Sequence, residues 1–237
     1  MNAGDGQHDR LRLRTGLDRL DLNTGGLLTG RLLVISGEEK SGRTSFLLQL
    51  CAIAASEDRD CYVIDPESRI HLSRLRDICG AWRADLSRIW IASPHTFREQ
   101  TRFILKASEG LKEGDLIAVD NITYLYRVEL TGDLTLDRPK FMELAFELAA
   151  LKSAALRNSA LSAAVFDVHD VPSIDHFTTR PVAEYLLKHF ADLRVHLTNL
   201  SGDLKSMSYA FGPVSGELVV RTTSSGIELA RHQPAVF

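Results

Sequence analysis

The sequence predicts an α/β fold built on a mainly parallel sheet. Strand-length apolar runs alternate with longer stretches of helical period, the pattern left by crossover helices joining parallel strands. The first strong strand leads through a glycine-bounded loop straight into an apolar helix. After Leu193 the rhythm shortens to alternating runs separated by turn residues, which reads as an antiparallel meander appended to the parallel sheet.

The predicted strands cover residues 32–36, 61–65, 88–92, 116–120 and 163–167, each short and rich in aliphatic residues as a doubly covered parallel strand requires. Helical segments fall between them at 44–55, 70–81, 97–108 and 140–158. In the last, Phe141, Leu144, Phe146, Leu148, Leu151 and Leu156 recur at the spacing of an amphipathic helix on a sheet. Asp65-Pro-Glu67 reads as a turn and helix start, because proline and acids favour a first helical turn. The meander takes in 193–198, 206–211 and 218–222, divided by Ser201-Gly-Asp203 and Gly212-Pro-Val-Ser-Gly216. No repeat, low-complexity run or linker interrupts the pattern. The expected organisation is a flexible segment over 1–14 and one domain over 15–237.

A chain of 237 residues, 44% hydrophobic and 25% charged, buries a substantial core. Its net charge of −3 supplies no basic field, so strong autonomous nucleic-acid binding is not expected. Cys51, Cys61 and Cys79 lack metal-ligand spacing, and the two in apolar runs read as small buried hydrophobes of a reducing compartment. No apolar stretch reaches the about 18 residues that span a bilayer, and the polar start has no signal-peptide core. The expectation is a soluble intracellular protein.

The most specific local pattern is Gly37-Glu-Glu-Lys-Ser-Gly-Arg-Thr-Ser45. A tight glycine turn lets backbone amides wrap a phosphate, and the following helix presents unsatisfied N–H groups and a positive dipole end. Against the phosphate-loop pattern G-x-x-x-x-G-K-[ST], Gly37 and Gly42 supply the turn, Thr44 stands at the Mg²⁺ position, and Arg43 replaces the lysine. Lys40, Ser41 and Ser45 complete the predicted nucleotide-binding set. A planar guanidinium keeps the charge and changes the shape, so phosphate binding is better supported than hydrolysis. Glu38 and Glu39 repel an anion if they face inward, and Arg43 has the alternative of turning outward to pair with them. A glycine turn without a ligand is the other reading of the motif.

Asp120 closes an apolar strand, and the carboxyl ends of parallel strands share one crevice, so it is predicted beside Thr44 on the metal. Glu67 follows the second strand and is the candidate to orient or deprotonate water. Asp167, His169 and Asp170 end the fifth strand and are read as facing the crevice or capping its loop. Neither a zinc site nor a nucleophilic triad has the required spacing.

With these residues placed, the chain resembles the ATPase core of the RecA/RadA recombinase superfamily from about Thr15 to Leu229, and within it the short recombinase paralogues, archaeal RadB-like or eukaryotic. Thr15-Gly-Leu-Asp-Arg-Leu-Asp21 with Gly25, Gly26 and Gly30 is similar to the family's opening motif. Val63-Ile-Asp-Pro-Glu-Ser68 is similar to its I-D-T-E-G segment, which places Glu67 on the water-activating glutamate. Residues 89–92 with Glu99-Gln100 resemble the next strand and the adenine-side loop. Residues 116–120 resemble the Walker B strand, 127–138 the first DNA-facing loop and 172–181 the second.

The resemblance implies a RecA-like P-loop ATPase core that binds ATP and Mg²⁺. It further implies DNA contacts by Arg127, Arg138, Lys140 and Arg180, and a role in DNA repair by homologous recombination, assisting or remodelling the main recombinase's filament on single-stranded DNA. The expected partners are the main recombinase or another paralogue, in the nucleus of a eukaryote or the cytoplasm of an archaeon. Departures temper the activity. Arg43 replaces lysine, Asp170 stands where a glutamine usually senses the γ-phosphate, and the second loop holds only Arg180 as a base. Weak DNA-dependent ATPase is the most these residues imply. A pseudo-ATPase scaffold in a paralogue complex and a KaiC-like signalling ATPase are the alternatives.

Overall fold

The computed structural model describes residues 11–172 and 177–230, with the side chains of residues 169–172 and 177–181 outside that description. The Thr15-Gly…Asp21 motif is a self-capped turn. Asp21, on the short helix α1 (Asp18–Thr24), accepts the N–H groups of Thr15 and Gly16 at 2.9 and 3.2 Å and the Thr15 hydroxyl at 2.9 Å. Before it, β1 (Arg12–Leu13) pairs with β2 (Leu27–Leu28), and Leu13 is buried. The end of the segment expected over 1–14 is thereby part of the fold; residues 1–10 lie outside the described residues.

The main sheet contains β3 (Arg31–Gly37), β4 (Cys61–Ile64), β5 (Ile89–Ala92), β6 (Leu116–Val119), β7 (Leu161–Pro172), β8 (Phe177–Pro181), β9 (Leu193–Asn199), β10 (Leu204–Phe211), β11 (Val214–Thr223) and β12 (Gly226–Leu229). Its order is β12-β11-β10-β9-β3-β7-β6-β4-β5, with β8 antiparallel to the end of β7. Six strands from β9 to β5 run parallel. β10, β11 and β12 extend the sheet antiparallel.

Helices cover both faces: α2 (Arg43–Ser56), α3 (Leu72–Trp82), α4 (Phe97–Gly110), α5 (Tyr124–Glu129), α6 (Leu134–Asn158) and α7 (Glu184–Phe190). Because successive strand residues point to opposite faces, Leu33, Ile35, Val63, Ala118 and Val165 pack with α2 and α3. Leu32, Val34, Ile117, Val119 and Phe166 pack with α4, α6 and α7. α2 is buried from Phe46 to Ala55, as its apolar circumference predicts.

Three expectations change. β9, read as the first meander strand, is parallel to β3 in the register Ile35↔Val195, so the antiparallel part begins at β10. The helix expected from residue 140 begins at Leu134, and Asp133 caps it by accepting the N–H groups of Thr135 and Leu136. Pro139 sits inside that helix; the carbonyl it leaves without a donor belongs to Thr135, which is exposed to water. The stretch 127–138, expected as a loop, is therefore mostly helix around a short turn. Lastly, Asp65-Pro-Glu67 is a turn and does not start a helix. The buried Asp65 carboxylate accepts the N–H groups of Arg69 and Ile70 at 3.2 and 2.9 Å, and α3 begins only at Leu72.

Candidate functional site

The parallel strands deliver their carboxyl ends to one edge. Gly37 is in register with Asp167, Ile64 with Val119, and the Asp120 N–H donates to the Ile64 carbonyl at 2.9 Å. Asp65, Asp120 and Asp167 thus flank the glycine loop, where ligands of open α/β sheets bind.

Both loop glycines are required by close approach. A Cβ on Gly37 would stand 2.2 Å from the Leu197 carbonyl oxygen, and one on Gly42 would stand 2.7 Å from the Thr222 methyl, at φ of 96°. Gly42 caps α2 without a side chain, so the first-turn N–H groups of Arg43, Thr44 and Ser45 have no carbonyl four residues back to bond. The Ser41 hydroxyl is buried and has no partner among the described residues. A ring of donors lacking internal acceptors fits an anion such as phosphate. Glu38 does not oppose it from within the protein's hydrogen-bonding pattern: its carboxylate is tied to β9 by the Asn199 N–H at 2.8 Å. Glu39 and Lys40 are exposed at the rim.

Thr44 and Asp120 meet. Burial pushes Asp120 up to about 6, while the neighbouring Thr44 hydroxyl and Arg43 pull the other way. A hydroxyl beside a buried carboxylate is the donor set of a hard divalent cation. Glu67 is raised chiefly by burial and lowered by Arg69. Its Oε1 accepts from Asn121 Nδ2 at 3.2 Å, and its Oε2 pairs with Arg69 Nε at 2.8 Å.

Arg43 pairs with neither loop glutamate. Its Nη1 donates to the Phe166 carbonyl at 2.6 Å and to Asp167 Oδ1 at 2.9 Å, and Arg127 Nη1 takes Asp167 Oδ2 at 2.8 Å. Arg43 lines two clefts: one of about 620 Å³ over residues 39–45, and one of about 500 Å³ bordered by Glu67, Arg127 and Asp167. The first is closed on its far side by the turn between β11 and β12. Arg74 bridges from Ser45 Oγ (3.1 Å) to the Ser224 carbonyl (2.9 Å), Trp82 Nε1 donates to the Ser225 carbonyl (3.0 Å), and Gln49 Oε1 accepts the Ile227 N–H (2.6 Å).

Gly37 and Glu67 thus line one of these clefts and Lys40, Ser41, Gly42, Thr44 and Ser45 the other, with Arg43 on both and the buried Asp120 beside Thr44. The residues implied for DNA disperse. Arg127 is held in the crevice, Arg138 is exposed, and Lys140 bonds the Glu129 carbonyl and pairs with Asp137 at 3.5 Å. The side chain of Arg180, like those of His169 and Asp170, lies outside the described residues. Glu99 and Gln100, expected on the adenine-side loop, are on α4. Glu99 bonds the His95 N–H at the start of that helix, and Gln100 is buried against the Ile122 carbonyl. Arg69 and Arg74 were absent from the predicted set. Their signal was faint: two arginines within ten residues of the second strand.

This order of strands, with a phosphate-type loop on the third, an acid ending the sixth and a carboxylate after the fourth, defines a RecA-like P-loop core. The chain belongs to the Rad51 family, whose model matches residues 7–227. It is 28% identical over 227 residues to the DNA repair and recombination protein RadB of Pyrococcus abyssi, covering 92% of this chain and 94% of that one. It is 24% identical to RadB of Halobacterium salinarum over 83% and 84% of the two chains. A crystal structure of the RadB recombinase superposes with a TM-score of 0.73 at 26% identity, over 92% of this chain and all of that one. Among the described residues, no helix is long and apolar enough to cross a membrane.

Proposed function

We propose that this chain binds Mg-ATP at the glycine loop and acts in recombinational DNA repair as an accessory paralogue. In this reading it assists or remodels the main recombinase's filament on single-stranded DNA and hydrolyses ATP weakly at most. The observation that carries the reading is the juxtaposition of uncapped loop donors with the Thr44–Asp120 pair. The loop amides and the Ser41 hydroxyl bind phosphate oxygens, and Thr44 and Asp120 hold the metal, which neutralises phosphate charge when bound. Arg74 and the turn between β11 and β12 border the rest of the nucleotide.

Hydrolysis is weak in this reading because both oxygens of Glu67 are engaged, by Asn121 and Arg69, and must be released to orient water. The relatives' names, DNA repair and recombination protein, support the cellular role. Arg138 is the exposed candidate for a DNA phosphate, Arg180 stays a candidate from the sequence, and Arg127 and Lys140 contact DNA only after leaving their internal partners. The chain works inside the cell.

Calorimetric titration of Mg-ATP tests the reading: Thr44→Ala is expected to weaken binding by about ten- to a hundredfold, the scale on which metal sites respond to the loss of a supporting group. Equal affinity in both proteins sinks the assignment. A pseudo-ATPase scaffold in a paralogue complex is the second reading, favoured by the engagement of Arg43 with Asp167. Absence of Mg-ATP binding together with capture of a recombinase paralogue would select it.

A further inference from the structure

The arginine of the phosphate loop is already paired within the protein. Arg43 Nη1 is shared between the Phe166 carbonyl and Asp167 Oδ1, and the pair is largely desolvated, with the side chains 13% and 20% exposed. Leaving one member of a desolvated pair without its partner costs more than it does at a surface pair. Asp167 sits opposite Gly37, the first residue of the loop, and lines with Gly37, Arg43 and Glu67 the cleft that adjoins the loop.

We infer that Asp167 is an internal competitor for nucleotide phosphate: its carboxylate occupies Arg43, and a phosphate must displace it to use that arginine. The inference rests on the reading that the loop binds nucleotide. Two effects then act with one sign. The carboxylate competes for the guanidinium, and it repels the incoming phosphate. Displacement does not strand Asp167, because Oδ2 already holds Arg127, whose side chain is half exposed. A carboxylate that merely positioned Arg43 for phosphate would have the opposite sign.

Calorimetric titration of Mg-ATP into the wild type, Asp167→Asn, Arg127→Ala and the double variant decides between them. Asp167→Asn is expected to bind about tenfold tighter, the scale of one competing charge-assisted hydrogen bond. Arg127→Ala leaves the carboxylate undivided for Arg43 and is expected to bind about threefold weaker, with no further loss when added to Asp167→Asn. Wild-type binding that Asp167→Asn leaves equal or weaker overturns the competitor while sparing the nucleotide site. Absence of Mg-ATP binding in all four proteins overturns both. Should Asp167→Asn not fold, Arg127→Ala decides alone, and unchanged affinity overturns the inference.

Discussion

Asp120 at the head of β6 and Glu147 in the middle of α6 are both buried carboxylates whose acidity burial weakens, to about 6 and about 8. Their surroundings differ in one respect. Glu147 is enclosed between α4 and α6, where Gln100 Nε2 donates at 2.7 Å and the Thr101 hydroxyl lies 2.8 Å from it and 2.8 Å from Glu143. Both donors favour the charged carboxylate, and burial outweighs them. Asp120 instead lies at the sheet edge beside the glycine loop and Thr44. Burial weakens both acids, but only Asp120 lies beside the loop where a metal is proposed. A perturbed carboxylate marks a candidate site only when something outside the fold is able to reach it.

The largest effect that sharpens this contrast is Asp120→Asn. Loss of the metal-side carboxylate is expected to lower Mg-ATP affinity at least about a hundredfold, whereas Glu147→Gln leaves it within about twofold; parallel calorimetric titrations compare them. Equal losses would erase the distinction between the two regions.

Next comes the pH dependence of stability. The folded pKa of Glu147 lies above its unfolded value, so between pH 4.5 and 8 the folded chain binds more protons and its stability falls as pH rises. Glu147→Gln is expected to remove that fall and to add up to about 4 kcal/mol near pH 8, at about 1.4 kcal/mol per pH unit between the two values. Denaturant titrations at pH 5 and pH 8 measure it, and an unchanged difference between the two pH values would mean that the acid is solvated. The smallest effect is that of Thr101→Val. It deletes a hydrogen bond to Glu147, costs about 1 kcal/mol and moves the titration of Glu147 higher. A lower titration, read by the same denaturation series, would contradict the shared-hydroxyl geometry.

Much of this was legible before any coordinates. Thr44, Asp120 and Glu67 follow apolar strands by short intervals, and the parallel arrangement alone sends those strand ends to a common edge. Arg43 was legible as a departure, but its partner was not: Asp167 is 124 residues away, and nothing local distinguishes it from Glu38 or Glu39. The direction of β9 was hidden for a related reason. The alternation Leu193, Val195, Leu197 serves a parallel or an antiparallel neighbour equally well. Pro139 concealed the first turns of α6, which the Asp133 cap and solvent exposure make tolerable.

By itself the sequence determined the α/β plan, the glycine loop and the residues ending each strand, because these depend on periodicity and on backbone geometry within a few residues. Only the tertiary structure decided what each charge faces: Arg43 on Asp167, Glu67 on Asn121 and Arg69, Glu147 sealed between two helices. The reason is physical. Local conformation is set by near neighbours along the chain, whereas the field at a charged group is set by burial and by whichever groups the packing of distant elements brings within about 4 Å.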